Sequence, residues 1–212
     1  MRAITEARLY LVSRASIAAG ELAAFTPDLA AAGVDLIQLR EKEMEARDIA
    51  RVGRPLARAC ADANVCFILN DRADVALALD APGVHLGQND LPVAVARRIL
   101  GTAIVGCSTH SEADIESVAR SDAPIDYIAV GPVYETPTKP GRRAVGLDLV
   151  RYAARHAPVP WFAIGGINAS NLDEVLEAGA RRIVVVRAVT EADDPVGAAA
   201  ELRRRLDEVP LS

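Results

Sequence analysis

The chain has 212 residues and a mass of 22.4 kDa, the size of one domain or at most two small ones. Its 51% hydrophobic and 4% aromatic residues exclude disorder and collagen and predict a core of Ala, Val, Leu and Ile. Because 24 Lys and Arg face 29 Asp and Glu, the net charge is −5, and we expect neither nucleic acid nor an anionic membrane as a partner.

The cysteines and the N-terminal segment indicate the cellular compartment in which we expect the protein. Cys60, Cys66 and Cys107 lie in apolar segments without Cys-x-x-Cys spacing, which predicts reduced core thiols and a cytoplasmic location. The first residues lack the apolar stretch of a secretion signal, and nowhere do about 18 uninterrupted apolar residues occur. We therefore expect a cytoplasmic protein without a transmembrane helix.

Short β-branched runs alternate with longer Ala-rich stretches from end to end. The predicted strands are Leu9–Ser13, Val34–Arg40, Cys66–Asn70, Gly83–Leu86, Ala103–Cys107, Tyr127–Gly131, Trp161–Gly165 and Ile183–Val186. Helical spacing of apolar residues fills the gaps, as in a predicted helix over Arg47–Asn64. Alternating strands and helices imply an α/β protein with a parallel sheet, and eight such units predict a single (β/α)8 TIM barrel over residues 1–212. An open doubly wound sheet is the alternative.

Polar residues just past each strand are the informative ones, because a (β/α)8 barrel carries its active site at the carboxyl ends of the strands. Side chains alternate along a strand, so Gln38 and Arg40 of the segment VDLIQLREK share one face and point into the barrel mouth. Lys42 continues that parity just beyond the strand. An amide and two cations predict an anionic ligand, since Arg and Lys bind phosphate oxygens. A charged cap that pairs with Glu41 or Glu43 is the alternative.

Two acidic residues follow the third and fourth strands. Asn70 ends the third strand, Asp71 follows it directly, and Asp90 lies in the loop after the fourth. Each acid has an alternative interpretation as a helix cap: Asp71 before a predicted helix over Arg72–Leu79, and Asp90 before Pro92.

The two acids together favour a metal site over two separate caps. Neighbouring strands lie about 4.8 Å apart, so both carboxylates can reach one ion. Two carboxylates without His or Cys suit Mg²⁺, which completes its shell with waters and phosphate oxygens. The residues therefore predict a Mg²⁺–diphosphate site surrounded by three cations, Arg40, Lys42 and Lys139. Zinc is not expected, because the histidines are dispersed.

The fifth strand leads into VGCSTH, which places the Ser108 hydroxyl at the mouth. Ser108 and His110 are too close in sequence for a nucleophile pair, and no Gly-x-Ser-x-Gly elbow occurs, so a hydrolase is not expected. We predict that Ser108 hydrogen-bonds a substrate, with capping of the following helix as the alternative.

The later loops carry further candidates. The long loop GPVYETPTKPGRR offers Thr136, Thr138 and Lys139 to an anion, with an ordinary surface turn as the alternative. Gly165–Gly166 leaves a backbone free to approach a ligand after the seventh strand. Together with Val186–Arg187 after the eighth, it occupies the usual phosphate-binding position of such barrels.

Several of these segments form a recognisable set. In this order, IQLREK, NDRAD, HLGQNDLP, GCSTH, GPVYETPTKPG and AIGGIN, within Leu9–Pro195, resemble the thiamine-phosphate synthase family, also called thiamine-phosphate pyrophosphorylase. The resemblance implies a (β/α)8 barrel that joins 4-amino-5-hydroxymethyl-2-methylpyrimidine diphosphate to 4-methyl-5-(2-phosphoethyl)thiazole. The implied products are thiamine phosphate and diphosphate.

The resemblance also implies roles for individual residues. The residues implied to bind the pyrimidine diphosphate lie at the ends of the second and third strands: Gln38, Leu39, Arg40, Glu41, Lys42 and Asn70. Asp71 and Asp90 are implied to bind Mg²⁺, and Ser108 and Lys139 are implied to join the diphosphate site. The implied catalytic side chains are Arg40, Lys42, Ser108 and Lys139. The residues implied to bind the thiazole phosphate lie in the later loops: Thr136, Pro137, Thr138, Gly166, Val186 and Arg187. The family often has Ser where Arg187 stands, so we expect backbone N–H groups to bind the phosphate there.

Three other functions remain open at the level of sequence. The first is a thiazole tautomerase of the same barrel family, which generally lacks the two-acid arrangement. The second is a sugar-phosphate isomerase or epimerase, and the third is a phosphate-binding barrel without catalysis. The expected partners are small-molecule substrates, and the resemblance permits a homodimer.

Overall fold

The computed structural model describes residues 4–14, 19–136 and 143–211. Its eight strands are all parallel and close on themselves in chain order, from β1 to β8 and back to β1. The strands are β1 (Leu9–Ser13), β2 (Leu36–Leu39), β3 (Cys66–Asn70), β4 (Gly83–Leu86), β5 (Ile104–Thr109), β6 (Tyr127–Val130), β7 (Trp161–Ile164) and β8 (Ile183–Val185). The predicted (β/α)8 barrel is confirmed, and the open sheet is excluded.

Helices cover the outside of the barrel. They are α1 (Ala19–Ala31), α2 (Ala46–Asp62), α3 (Ala73–Ala78), α4 (Val93–Leu100), α5 (Glu112–Val118), α6 (Gly146–His156), α7 (Leu172–Glu177), α8 (Arg187–Thr190) and α9 (Pro195–Asp207). In α2, the residues Ile49, Leu56 and Cys60 recur at helical spacing and are buried, which explains why this segment is a helix. Within the described ranges, no helix combines the length and apolar character needed to cross a membrane.

The alternation of side chains along each strand divides the core into two layers. One set of side chains, such as Ile37 and Leu39 of β2, packs outward against the helices. The other set fills the barrel interior, the lumen, and includes Tyr10, Tyr127 and Phe162. These three rings pack edge to face, with centroids 5.5 to 5.9 Å apart.

One predicted strand end is wrong in a way that bears on the site. β5 runs to Thr109 rather than Cys107, so Ser108 and Thr109 still pair with Ala129 and Val130 of β6. The ladder continues because β6 offers backbone partners that far along. Ser108 is therefore held in the wall of the barrel instead of in a loop beyond it.

Candidate active site

Two cavities open at the carboxyl ends of the strands. The first, here called the charged cavity, has a volume of about 190 Å³ and lies over β2 to β5. Its lining includes Arg40, Lys42, Asn70, Asp71, Asp90 and Ser108. The second, here called the glycine cavity, has a volume of about 330 Å³ and lies over β5 to β8. Its lining includes Gly131, Thr136, Gly165, Gly166, Val186 and Arg187. Ser108 and His110 line both cavities, so the two spaces share a wall.

The two predicted metal ligands lie together in the charged cavity. Asp71 has a left-handed backbone, with φ of 65°, and its carboxylate Oδ2 lies 2.8 Å from Nζ of Lys42. The Oδ2 atom of Asp90 accepts a 2.7 Å hydrogen bond from the Gly87 N–H. Neither acid caps a helix, since α3 follows Arg72 and α4 follows Pro92 without a side-chain cap. The cap interpretation of both acids is therefore wrong.

The two carboxylates perturb each other. Burial raises the pKa of Asp71, and the neighbouring Asp90 carboxylate adds to this effect although Lys42 opposes it. Partial burial also acts to raise the pKa of Asp90, but its contacts with Asp71 and with the Gly87 N–H outweigh burial and lower it. Two acids in contact disfavour double ionisation unless a cation lies between or beside them.

This donor set suits a hard cation that brings other ligands with it. Among the described residues, no group of three or more His, Cys, Asp or Glu side chains gathers as a metal cage. A pair of carboxylates is the protein contribution typical of Mg²⁺, whose remaining ligands are waters and substrate phosphate oxygens. Asp71 and Asp90 therefore fit this ion better than a dedicated zinc or calcium site.

Asn70 presents an unsatisfied donor to the same cavity. Its Nδ2 atom is buried and has no hydrogen-bond partner in the part of the chain that the structure describes. Buried amide donors are normally paired, so an orphan that faces a cavity indicates a missing ligand acceptor. Arg40 is half-buried beside it, and burial lowers the pKa of its guanidinium while Asp71 opposes that effect.

The remaining residues of the IQLREK segment occupy different places. Gln38 lies below the mouth, inside the lumen, where its Nε2 donates to the Tyr10 hydroxyl. The Leu39 side chain packs in the outer hydrophobic layer and does not reach either cavity. Glu41 is buried, and the described lining of the two cavities does not include it.

Close backbone packing shapes the glycine cavity. Gly165 and Gly166 both have left-handed backbones, with φ of 108° and 69°. A Cβ on Gly166 would lie 2.7 Å from Cβ of Tyr134, and the Tyr134 N–H donates to the Gly165 carbonyl at 3.0 Å. The loops after β6 and β7 therefore lie against each other, and Thr136 reaches the cavity. Side chains at the two glycines would push these loops apart.

Arg187 adds a positive charge to the far side of the glycine cavity. It begins α8 directly after Val186, and its guanidinium lies 3.7 Å from the carboxylate of Glu191, which also lines the cavity. Three predicted site residues, Pro137, Thr138 and Lys139, lie outside the residues that the structure describes.

The histidine that contacts Ser108 was not identified from the sequence. Oγ of Ser108 lies 3.0 Å from Nε2 of His85, whereas the His110 ring contacts the carbonyl of Gly131. The helix α5 is capped by Ser111, so the capping alternative for Ser108 is also wrong. The alternation in GVHL, where His85 lies between two outward apolar residues, is the signal that predicts an inward histidine.

Comparisons with known proteins show which family the chain is similar to. A family model described as "Thiamine monophosphate synthase" matches residues 9–189. The chain is 53% identical over 205 residues to the thiamine-phosphate synthase of Acidothermus cellulolyticus, covering 96% of each chain. It is also 53% identical to that of Streptomyces avermitilis, covering 96% of this chain and 95% of the relative. The solved thiamine phosphate pyrophosphorylase from Pyrococcus furiosus superposes with a TM-score of 0.85 at 33% identity, covering 97% of this chain and 98% of that one.

Asn70 allows a test of whether the charged cavity is built for a ligand. We expect Asn70→Leu to leave the free energy of unfolding unchanged within about 0.5 kcal/mol or to raise it, because the Nδ2 donor has no partner to lose. As a matched control, Asn171→Leu should cost about 1–3 kcal/mol, since that amide bonds both Gly166 and Asn168 at 2.9 Å. Urea denaturation measures both changes. Equal destabilisation by the two variants would contradict the assignment.

Proposed function

The chain belongs to the thiamine monophosphate synthase family, and we propose that the two cavities divide the substrates of the family's reaction between them. The protein is a transferase of thiamine biosynthesis that joins the pyrimidine diphosphate to the thiazole phosphate and releases diphosphate. A thiazole tautomerase is not favoured, because relatives at 53% identity over nearly the whole chain are thiamine-phosphate synthases.

We propose that the pyrimidine diphosphate binds in the charged cavity. Arg40 and Lys42 would neutralise its phosphate oxygens, and the unpaired Nδ2 of Asn70 would donate to it. Asp71 and Asp90 would hold the Mg²⁺ that the diphosphate brings. Bound there, the ion supplies charge neutralisation for the departing diphosphate. The contact between two carboxylates beside a lysine is the observation that supports this arrangement.

The thiazole phosphate is proposed to occupy the glycine cavity. The backbone at Gly166 and Val186–Arg187 would bind the phosphate, with the Thr136 hydroxyl and the Arg187 guanidinium beside it. The loop residues Pro137, Thr138 and Lys139 remain part of the proposal through the resemblance of the TPTKP segment to the family. Because Ser108 and His110 line both cavities, the two substrates would meet at that shared wall.

The proposed chemistry requires the protein to stabilise the charge of the departing diphosphate and to align the two reactants. The carbon–oxygen bond of the pyrimidine substrate breaks, and its electron pair leaves with diphosphate. The aminopyrimidine ring delocalises the positive charge, and the lone pair of the thiazole nitrogen then forms the carbon–nitrogen bond. No base is needed before bond breaking. The side chains contribute preorganised donors and cations to the leaving group, while the adjoining cavities orient the two reactants, an advantage of about 7 kcal/mol or more.

Location and partners are part of the same proposal. We propose a cytoplasmic location, supported by the free thiols Cys60, Cys66 and Cys107, two of them buried. The proposed partners are the two small-molecule substrates, without nucleic acid or membrane. A homodimer stays a prediction.

The coupling assay is the most direct test of function. The purified protein with both substrates and Mg²⁺ should yield thiamine phosphate and an equal amount of diphosphate, measured by chromatography and by a phosphate-release assay. Conversion of the thiazole tautomer without coupling would instead establish the tautomerase. Binding of phosphate ligands with neither reaction would leave a non-catalytic barrel.

The metal assignment predicts a specific response to acid-to-amide changes. Asp71→Asn and Asp90→Asn should each lower turnover by about 100-fold or more and raise the Mg²⁺ concentration for half-maximal activity, because each removes one carboxylate ligand. Asp74→Asn is the matched control, since that exposed carboxylate pairs with Arg72 and lines neither cavity. Magnesium titrations of initial rate distinguish the variants. Curves for both site variants that superpose on the wild type would exclude the assignment.

Arg187 tests whether side chain or backbone binds the thiazole phosphate. We expect Arg187→Ser to retain measurable turnover with a KM for the thiazole phosphate raised by about tenfold, because one partly exposed charge is lost while the N–H groups remain. The KM for the pyrimidine diphosphate should not change. Complete loss of activity in a folded variant would show that the guanidinium is the principal phosphate ligand.

A further inference from the structure

Five polar side chains form a continuous hydrogen-bonded row inside the barrel, here called the lumen chain. Its members in order are Gln38, Tyr10, Tyr127, His85 and Ser108. Nε2 of Gln38 donates to the Tyr10 hydroxyl, which lies 2.9 Å from the Tyr127 hydroxyl. The Tyr127 hydroxyl lies 3.0 Å from Nδ1 of His85, and Nε2 of His85 lies 3.0 Å from Oγ of Ser108. The chain thus runs from the lumen to the wall shared by the two cavities.

The lumen chain is sealed from solvent along its length. Every member is less than a tenth exposed, and Tyr10 and Tyr127 are fully enclosed. Burial raises the pKa of both phenols, so each keeps its single hydroxyl hydrogen. A glycine makes room for the second ring, because a Cβ on Gly106 would lie 2.0 Å from Cζ of Tyr127. Each buried hydrogen therefore needs an acceptor within the chain itself.

This requirement fixes a single direction of hydrogen-bond donation along the lumen chain. The Gln38 amide nitrogen can only donate, so the Tyr10 oxygen accepts and its own hydrogen turns to Tyr127. Tyr127 must then donate to Nδ1 of His85. The opposite direction would leave the Tyr10 hydroxyl hydrogen without an acceptor among the residues that the structure describes.

The direction determines which histidine nitrogen carries the hydrogen. Nδ1 of His85 accepts, so the neutral ring bears its hydrogen on Nε2 and donates it to Oγ of Ser108. Because Oγ of Ser108 already accepts a hydrogen bond from His85, the hydroxyl hydrogen of Ser108 is left to donate to a group in the cavities that Ser108 lines.

We propose that the lumen chain fixes Ser108 as a hydrogen-bond donor to an anionic oxygen of the substrate, with Gln38, Tyr10, Tyr127 and His85 as positioning residues. This inference rests on the proposed function, in which the diphosphate oxygens lie in the charged cavity beside Ser108. A donor already aimed at the leaving group needs no reorientation when the carbon–oxygen bond breaks. The reversed chain would turn a serine lone pair toward that negative charge.

The histidine tautomer tests the direction without any substrate. In protein labelled with ¹⁵N-histidine, we expect the His85 spectrum to show hydrogen on Nε2 and none on Nδ1. His110→Gln and His156→Gln variants assign the signals, because the chain has three histidines. Hydrogen on Nδ1 of the wild-type protein would overturn the direction.

The activity of variants that lack a tyrosine hydroxyl tests whether the lumen chain positions Ser108. Tyr127→Phe removes the donor to Nδ1 from a site that faces neither cavity, and kcat should fall about 10- to 100-fold with KM for both substrates nearly unchanged. Its ¹⁵N spectrum should show a mixture of tautomers. Tyr152→Phe is the matched control, since that exposed phenol donates to Glu116 at 2.7 Å, and it should change neither readout.

The outcomes separate this inference from the proposed function. A wild-type protein that forms no thiamine phosphate overturns the function, whereas the tautomer measurement still reports the direction of the chain. Unchanged kcat in a folded Tyr127→Phe variant, when the wild-type protein does form the product, overturns the positioning role alone.

Discussion

Closure of a parallel sheet into a barrel imposes the constraint on which the rest of this protein depends. Every strand must direct alternate side chains into one enclosed space, so the residues that face inward from different strands become neighbours. Here the lumen is filled by aromatic and aliphatic side chains, and among them lie the hydroxyls of Tyr10 and Tyr127. Buried polar groups need partners, and this is why the inward Gln38, Tyr127 and His85 are joined in one hydrogen-bonded row.

The charged side chains at the mouth of the barrel determine which ligands the charged cavity suits. Two cations and two acids line the charged cavity, where Lys42 pairs with Asp71 while Asp71 and Asp90 perturb each other. Because two cations balance two acids, the proposed ligand preserves this balance only if it brings a cation and an anion together. This balance is the electrostatic argument for the metal–phosphate ligand proposed above.

The division into two cavities follows from backbone packing more than from charge. Gly165 and Gly166 adopt conformations that other residues rarely adopt, and they let the loops after β6 and β7 pack without side chains between them. Ser108 is held in β5 at the boundary, where both cavities reach it. A residue in the wall of the barrel is positioned more rigidly than one in a loop, which suits the donor role proposed for Ser108.

The sequence by itself determined the barrel and the inward face of β2, because period-two alternation and the count of strands are local properties that one chain displays directly. It also predicted that Asp71 and Asp90 lie close together, since consecutive parallel strands are neighbours in a barrel. Only the tertiary structure decided that neither acid caps a helix, that β5 extends through Ser108, and that His85 is the histidine it contacts. Strand register and side-chain rotamers, set by packing over the whole closed barrel, decide such contacts between distant segments, and no local pattern encodes them.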